Sequence, residues 1–213
     1  MEEKIVSSII RYPVSIREFI TSPKYLDQGN SIYPLVLDEL EKLNNPVVPG
    51  LAHGMRIGSP FTEAVFTGGI GVGKSHCALI TTAYQLYILS CLEEPQQIFD
   101  LDPSSEILFV FQTLNLALAK KLDYGRFKEM MDRSPYFNEV FPYDKKVESE
   151  LLFPNRIIVR PVSGQETATI GQNVFGGVLD EVNFMENTQS SSKTPDGSTY
   201  DQAIALYNSI ASR

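Results

Sequence analysis

Residues 68–75 form a pattern that is typical of phosphate binding. They read GGIGVGKS and match the pattern G-x-x-x-x-G-K-[ST] at every fixed position. The glycines let the backbone turn tightly, so that successive N–H groups point inward at phosphate oxygens. Lys74 would reach the outer phosphates, and the Ser75 hydroxyl is an oxygen ligand of the kind that Mg²⁺ prefers. The pattern predicts a loop that binds Mg²⁺ and a nucleoside triphosphate, with a chance glycine-rich turn as the alternative.

The predicted nucleotide site comprises this loop and the residue that follows it. Its members are Gly68, Gly69, Ile70, Gly71, Val72, Gly73, Lys74, Ser75 and His76. The positive end of the helix expected after the loop would also attract phosphate. We predict that Lys74 is catalytic as well, because its charge would stabilise the β- and γ-phosphates during reaction. His76 would lie on the first helical turn and is not predicted to bind a metal.

A second chemical feature is the acidic pair Asp180 and Glu181, which follows the apolar run at residues 174–179. A parallel strand delivers ligands to an active edge at its carboxyl end. We predict that Asp180 holds the Mg²⁺ shell and that Glu181 is the catalytic base that orients and deprotonates water. This pair favours ATP hydrolysis over transfer of the phosphoryl group to a small acceptor. The alternative is a solvated acidic pair at the end of a strand.

The elements that would position these groups alternate between strand and helix. A short apolar run at residues 64–67 predicts a strand that leads into the loop, and residues 75–91 predict the helix after it. Residues 106–111 (EILFVF) predict a buried strand, and residues 114–131 a helix. The pattern indicates an α/β fold with repeated strand-helix units.

The rest of the chain predicts shorter elements. Residues 134–140 predict a short helix, and residues 150–153 and 156–162 a hairpin around Pro154. Residues 187–198 are polar and predict a loop. Apolar residues recur at helical spacing between Tyr200 and Ile210, which predicts an amphipathic helix.

Together these features predict a P-loop NTPase of the ASCE type, with a mainly parallel sheet sandwiched by helices. Residues 1–60 contain several prolines that interrupt regular structure, and we expect them to form a small flanking or lid region that contributes to the nucleotide site. Residues 61–213 would form the ATPase core. The length of 213 residues suits one such domain.

Composition limits the possible partners. The net charge of −8 argues against tight nucleic-acid binding by the whole surface, although a local patch at Lys120, Lys121 and residues 128–133 stays open beside the simpler interpretation of a solvated helix face. No segment has the roughly 20 apolar residues of a membrane span, and no secretory signal is evident, so we expect an intracellular protein without membrane contact. Cys77 and Cys91 are predicted to be buried thiols.

Beyond these motifs, the chain resembles the ATPase domain of the large terminase subunit of tailed bacteriophages. The resemblance covers most of the chain. It is carried by the loop at residues 68–75, by residues 15–23 (SIREFITSP), by residues 106–113 (EILFVFQT), and by residues 175–184 (FGGVLDEVNF), which contain the acidic pair. The two nucleotide motifs are typical of P-loop enzymes in general, and the other segments indicate terminase more weakly.

The resemblance implies a motor that hydrolyses Mg-ATP to move double-stranded DNA into procapsids. It implies contacts with a portal protein and a small terminase subunit, a homo-oligomeric ring when assembled, a monomer in isolation, and a place in the host cytoplasm with transient docking on the procapsid. The family also has a coupling motif and a nuclease domain. The chain ends at Arg213 before either would appear, so we expect a truncated form without nuclease activity.

The chain departs from the family in its loop, which lacks the basic residue that many terminases carry at a variable position. Four arginines are candidates for a finger that acts on a neighbouring subunit, although each is more readily interpreted as an ion-pairing surface residue. They are Arg126, Arg133, Arg156 and Arg160.

A helicase-like or other P-loop ATPase is an alternative, as is a regulatory module that binds nucleotide without turnover. Glu181 argues against such a module.

Overall fold

The computed structural model describes residues 8–29, 31–44, 61–69, 71–113, 116–162, 172–182, 185, 187–188 and 200–211. The chain divides into two compact units, and each is described by itself. The first unit comprises Met1–Ser105, Phe127–Asp144 and Phe153–Asn155. The second comprises Glu106–Arg126, Lys145–Leu152 and Arg156–Arg213. The boundary predicted near residue 60 lies outside the described residues and stays a prediction.

Among the described residues, helices predominate before residue 140 and strands after residue 150. The helices are α1 (Ile16–Thr21), α2 (Pro34–Asn44), α3 (Lys74–Ser90), α4 (Pro95–Ile98), α5 (Leu116–Ala119), α6 (Gly125–Arg133), α7 (Pro135–Glu139) and α8 (Gln202–Ala211). A π-helical segment, Lys120–Tyr124, joins α5 to α6. The strands are β1 (Ile107–Gln112), β2 (Leu151–Phe153), β3 (Ile157–Val162), β4 (Val174–Leu179), β5 (Asn187–Thr188) and β6 (Tyr200–Asp201).

The core of the first unit forms around α3, whose central and C-terminal residues are almost all buried because the segment is rich in Leu, Ile and Tyr. The ring of Phe19 from α1 stacks on that of Tyr87, with centroids 4.8 Å apart. The Tyr84 hydroxyl donates to the Val14 carbonyl at 2.7 Å, and the Val14 N–H donates to the Tyr87 hydroxyl at 3.0 Å. Ring packing and hydrogen bonds thus hold the N-terminal segment on the helix that follows the glycine-rich loop.

The second unit is built on a four-stranded sheet with the order β2-β3-β1-β4. The central strand β1 is parallel to both β3 and β4. All six residues of β1 are buried, which is typical of a parallel strand covered on both faces and explains its continuous apolar sequence. Gln112 at the end of β1 lies opposite Leu179 at the end of β4, so the two strands finish at the same edge of the sheet.

Most of the predicted elements are confirmed, including the α/β class, the parallel strands, the helix after the loop, and the hairpin whose strands β2 and β3 are neighbours joined by the turn Pro154–Arg156. Cys77 and Cys91 are buried as predicted. Within the segment predicted as a polar loop, β5 pairs with β6, and residues 189–199 lie outside the described part. No helix in the described ranges is long and apolar enough to cross a bilayer.

The strand predicted at residues 64–67 is wrong. Residues 62–69 contain no strand, and the Val65 side chain is 76% exposed. A strand becomes stable through backbone hydrogen bonds to a neighbour and burial of one face, and four residues in solvent have neither. The loop is therefore entered from an extended segment without regular secondary structure.

The helix predicted after β1 has an irregularity that the sequence pattern did not indicate. Between Lys120 and Tyr124 the backbone widens into a π turn, and the helix then continues as α6. A Cβ atom on Gly125 would lie 3.0 Å from the Lys120 carbonyl oxygen, tighter than nine in ten real contacts of this kind. Because Gly125 has no Cβ atom, it can lie close to the Lys120 carbonyl oxygen, as the π turn requires.

Candidate nucleotide-binding site

The glycine-rich loop uses backbone conformations that side chains rarely adopt. Gly71 has φ of 84° and Gly73 has φ of 86°, both in the left-handed region. Gly73 is the N-cap of α3, so its conformation sets the direction in which the helix leaves the loop. The sequence pattern requires glycine at this position because any Cβ would strain the same turn. Ile70 lies outside the described residues.

Lys74 folds back over the loop that precedes it. Its ammonium group donates to the carbonyl oxygens of Gly68 at 3.0 Å and Gly69 at 2.8 Å. These contacts hold the ammonium against the backbone of the loop, at an exposed position. An ammonium in this place is suited to exchange its carbonyl partners for phosphate oxygens, which bind it more strongly because they are charged.

The start of α3 adds backbone donors to this positive charge. The Cys77 N–H donates to the Gly73 carbonyl at 2.9 Å, which is the first bond of the helical ladder. The N–H groups of Lys74 and His76 come before that bond, at the positive end of the helix dipole. Ser75 is half-buried on the same turn. The loop thus presents the chemistry that a phosphate group requires.

His76 is next to a residue that the sequence did not single out. Its Nε2 atom lies 3.1 Å from the Gln28 Oε1 oxygen, and this pair forms a hydrogen bond when Nε2 carries the proton. Desolvation lowers the pKa of His76, which favours the neutral ring. Gln28 is held by its own backbone, whose N–H donates to the Ile20 carbonyl at 2.9 Å. No motif in the sequence pointed to Gln28.

The acidic pair lies in the second unit, at the end of β4. The Asp180 N–H donates to the Gln112 carbonyl at 3.0 Å, which extends the ladder between β1 and β4 by one residue. The Asp180 Oδ1 atom accepts the Glu181 N–H at 2.9 Å. Glu181 is exposed and has φ of 57°, a left-handed conformation that costs a non-glycine residue about 1 kcal/mol or more. Such strain is frequent at functional sites.

A third carboxylate, Asp123 in the π segment, stands beside this pair. Its residue is only 2% exposed, and its Oδ1 oxygen is buried without a hydrogen-bond partner among the described residues. Burial, followed by the charge of Asp180, raises the pKa of Asp123 to about 7. Glu181 acts in the same direction, and the positive charge of Arg126 opposes the shift.

The sequence does contain a signal for Asp123, although the prediction missed it. Ala119, Asp123 and Phe127 are spaced four residues apart, which places them on one helical face. All three are buried, at 0%, 2% and 0% exposure. A carboxylate on an otherwise apolar face is unusual, because aspartate is almost never fully buried unless it has a partner.

The side-chain oxygen atoms at the start of α3 and at the end of β4 are of the kind that magnesium prefers. Magnesium is a hard cation that takes one or two carboxylates and completes its shell with water and phosphate oxygens. The Ser75 hydroxyl in the first unit and the Asp180 carboxylate in the second each carry an oxygen of this kind. Across the described ranges no group of three or more His, Cys, Asp and Glu side chains is arranged to hold a metal ion.

Three of the candidate basic residues, Arg156, Arg160 and Lys128, form ion pairs. Arg156 lies 3.6 Å from Glu106, and Arg160 lies 3.7 Å from Glu106 and 3.6 Å from Glu150. These contacts agree with the interpretation of both arginines as ion-pairing residues. Of the basic cluster in α6, Lys128 binds the Asp132 carboxylate at 3.0 Å and the Tyr143 hydroxyl at 3.1 Å. Lys120 and Lys121 are exposed.

Comparison with protein families gives one match. The family model described as "Uncharacterized protein MJ0330, N-terminal P-loop domain" matches residues 2–212. Searches of curated proteins and of solved structures found no match. The match covers both the glycine-rich loop and the acidic pair, so it supports the P-loop fold across nearly the whole chain.

Proposed function

Because the chain belongs to the family of the MJ0330 N-terminal P-loop domain, we propose that it binds Mg-ATP on residues 68–75 and hydrolyses it to ADP and phosphate. The observation that carries the proposal is the position of Lys74, whose ammonium lies on the loop carbonyls at the start of α3. Loop donors, the helix dipole and a lysine together form the usual recognition of a nucleoside triphosphate.

In this proposal each polar residue has a distinct role. Lys74 binds the β- and γ-phosphates, and Ser75 and Asp180 hold Mg²⁺, which neutralises phosphate charge when bound. Glu181 orients the attacking water and accepts its proton. The left-handed backbone at Glu181 supports this role, because it turns the side chain out of the strand direction and into solvent, where water is available.

A finer proposal is that hydrolysis drives the movement of double-stranded DNA, as in a packaging motor with portal and small-subunit partners. The resemblance to terminases supports it, as do the exposed Lys120 and Lys121 on the segment after β1. A helicase-like ATPase remains the alternative, and the same lysines would suit single-stranded nucleic acid. ATPase stimulation by blunt double-stranded DNA, compared with single-stranded DNA, distinguishes the two.

Nucleotide binding is tested by Lys74→Ala with Lys42→Ala as its control. Lys42 is an exposed lysine in α2 that pairs with Glu39 at 2.6 Å. We expect Lys74→Ala to lose affinity for a fluorescent ATP analogue by at least about tenfold, since charged hydrogen bonds contribute about 1.5–3 kcal/mol, and to keep its circular dichroism spectrum. Lys42→Ala should bind like the parent. Equal affinity in all three proteins would refute the assignment of the loop.

A further inference from the structure

Gln28 contacts the first turn of α3 from a turn that follows α1. Its Oε1 oxygen lies 3.1 Å from the Nε2 atom of His76, the residue directly after Ser75. The contact joins two parts of the first unit that are 48 positions apart in sequence. Because a carboxamide oxygen can only accept, the imidazole donates this hydrogen bond from Nε2. The ring of His76 is thereby tied to the N-terminal part of the chain.

The turn that carries Gln28 has a well-defined backbone. The Gln28 N–H donates to the Ile20 carbonyl at 2.9 Å, and the Gln28 carbonyl accepts the Ser31 N–H at 3.1 Å. Both neighbours, Asp27 and Gly29, have φ of 52°, in the left-handed region. That conformation is unfavourable for an aspartate, so the contacts around it must maintain it. The side chain of Gln28 therefore leaves the turn in one fixed direction.

The helix α1 fixes this turn on the buried part of α3. The Phe19 ring of α1 stacks on the Tyr87 ring in the C-terminal half of α3. Burial in α3 begins at Cys77, whereas His76 on its first turn is exposed. The packing of α1 thus fixes the centre of the helix, and Gln28 contacts the exposed first turn.

The first turn of α3 lacks the side-chain cap that fixes the start of many helices. Its N-cap is Gly73, which has no side chain to accept an N–H group of that turn. The loop before it is rich in glycine, the residue that loses the most conformational freedom when it becomes ordered. A contact that orders this turn in advance reduces the entropy lost when phosphate binds, and so raises affinity.

The hydrogen bond between Gln28 and His76 contributes little to global stability. Gln28 is half-buried, and His76 is exposed. Water competes for exposed polar groups, so the net gain from joining two neutral ones is small. The left-handed backbone at Asp27 opposes even that gain. The effect of the contact on the start of α3 explains it better than folding does.

We propose that Gln28 is a positioning residue, which holds the start of α3, through His76, in the conformation that binds phosphate. This inference rests on the proposed function, because it takes residues 68–75 as the phosphate-binding loop. Gln28 touches no part of the nucleotide in this account. It acts on the backbone N–H groups of the first helical turn, which are ordered before the ligand arrives.

The test compares ATP with inorganic triphosphate, which has the phosphate chain but neither base nor ribose. Gln28→Met removes the acceptor at nearly constant length, and His76→Leu removes the donor. His76→Gln places an amide donor near the position of the lost Nε2 atom, and Gln97→Met, at an exposed position of α4, is the matched control. Isothermal titration calorimetry at one Mg²⁺ concentration gives both dissociation constants, and urea unfolding gives the stability of each variant.

We expect Gln28→Met and His76→Leu each to weaken the binding of ATP and of triphosphate by the same factor, about 3–10-fold, as for the loss of one hydrogen bond. The double variant should lose no more than either single variant, because both changes remove one shared contact. His76→Gln should bind both ligands at least about threefold more tightly than His76→Leu. Gln97→Met should bind like the parent, and the free energy of unfolding should change little in every variant.

Equal affinity of Gln28→Met and the parent for triphosphate would overturn the inference and leave the proposed function standing. A loss confined to ATP, or a parent that binds ATP but not triphosphate, would also overturn it, because Gln28 would then not act through phosphate binding by the loop. Additive losses in the double variant would show that the two side chains act independently, which contradicts the inference as well. A parent that binds neither ligand would refute the proposed function instead.

Discussion

At the scale of single residues, the contribution of Asp123 to the free energy of unfolding depends on pH. Its pKa is raised to about 7 by burial first and then by Asp180, with Glu181 adding to the shift and Arg126 opposing it. In the unfolded chain an aspartate titrates near about 3.9. Between these values the folded protein holds a proton that the unfolded chain has released, so the stability contributed by this group falls as pH rises from about 4 to about 7.

Replacing Asp123 by asparagine should remove this dependence. We expect the free energy of unfolding of Asp123→Asn, relative to the parent, to increase by on the order of 2 kcal/mol between pH 5 and pH 8. Urea unfolding of both proteins in EDTA measures the difference. Parallel pH profiles of parent and variant would mean that Asp123 is not held with a raised pKa in the folded protein.

The sequence identifies candidate site residues by their type and spacing, but it does not report their contacts in the fold. The pattern at residues 68–75 led to Lys74 and Ser75 because that spacing is fixed by the chemistry of phosphate binding. Asp123 was not identified because its raised pKa arises from burial and from the charge of Asp180, which is distant in sequence and becomes its neighbour only in the folded chain. Gln28 was not identified for the same reason, since only the folded chain brings it within hydrogen-bond distance of His76.

At the scale of elements, the geometry of the π turn allows us to predict how a substitution at Gly125 changes stability. In an ordinary helix a Gly→Ala substitution stabilises by up to about 1 kcal/mol. Here the new Cβ would lie 3.0 Å from the Lys120 carbonyl oxygen, so we expect Gly125→Ala to lower the free energy of unfolding by roughly 1–2 kcal/mol. Glu129→Ala, at an exposed position of α6, is the control for alanine in this helix. A gain in stability for Gly125→Ala would contradict the need for a wide turn.

Other elements show why some predictions succeeded and one did not. β1 was predictable because a strand buried on both faces needs a continuous apolar run, and its six residues have one. α3 was predictable from its apolar residues and the glycine before it. The strand at residues 64–67 failed, because a strand of that length depends on a neighbouring strand that local sequence does not report.

At the scale of the whole molecule, the loop provides no arginine, and Arg156 and Arg160 are held in ion pairs. An arginine from a neighbouring subunit can raise the rate of hydrolysis by about 10³ to 10⁵. We therefore expect the isolated chain to be a slow ATPase whose turnover per molecule rises with protein concentration. Phosphate release is measured over a dilution series, with sedimentation velocity reporting the oligomeric state. Concentration-independent turnover at about 1 to 100 per second would exclude a requirement for assembly.

The measurement that tests the central claim most directly is single-turnover hydrolysis of labelled ATP by Glu181→Gln. This substitution keeps the size of the side chain and its hydrogen bonds to water but removes the base. We expect the hydrolysis rate to fall by about 10² to 10⁴ while ATP affinity is retained. Asp180→Asn should instead weaken both Mg²⁺ dependence and nucleotide binding, and Glu139→Gln, at an exposed position of α7, should behave like the parent. Hydrolysis by Glu181→Gln at the parent rate would contradict the account.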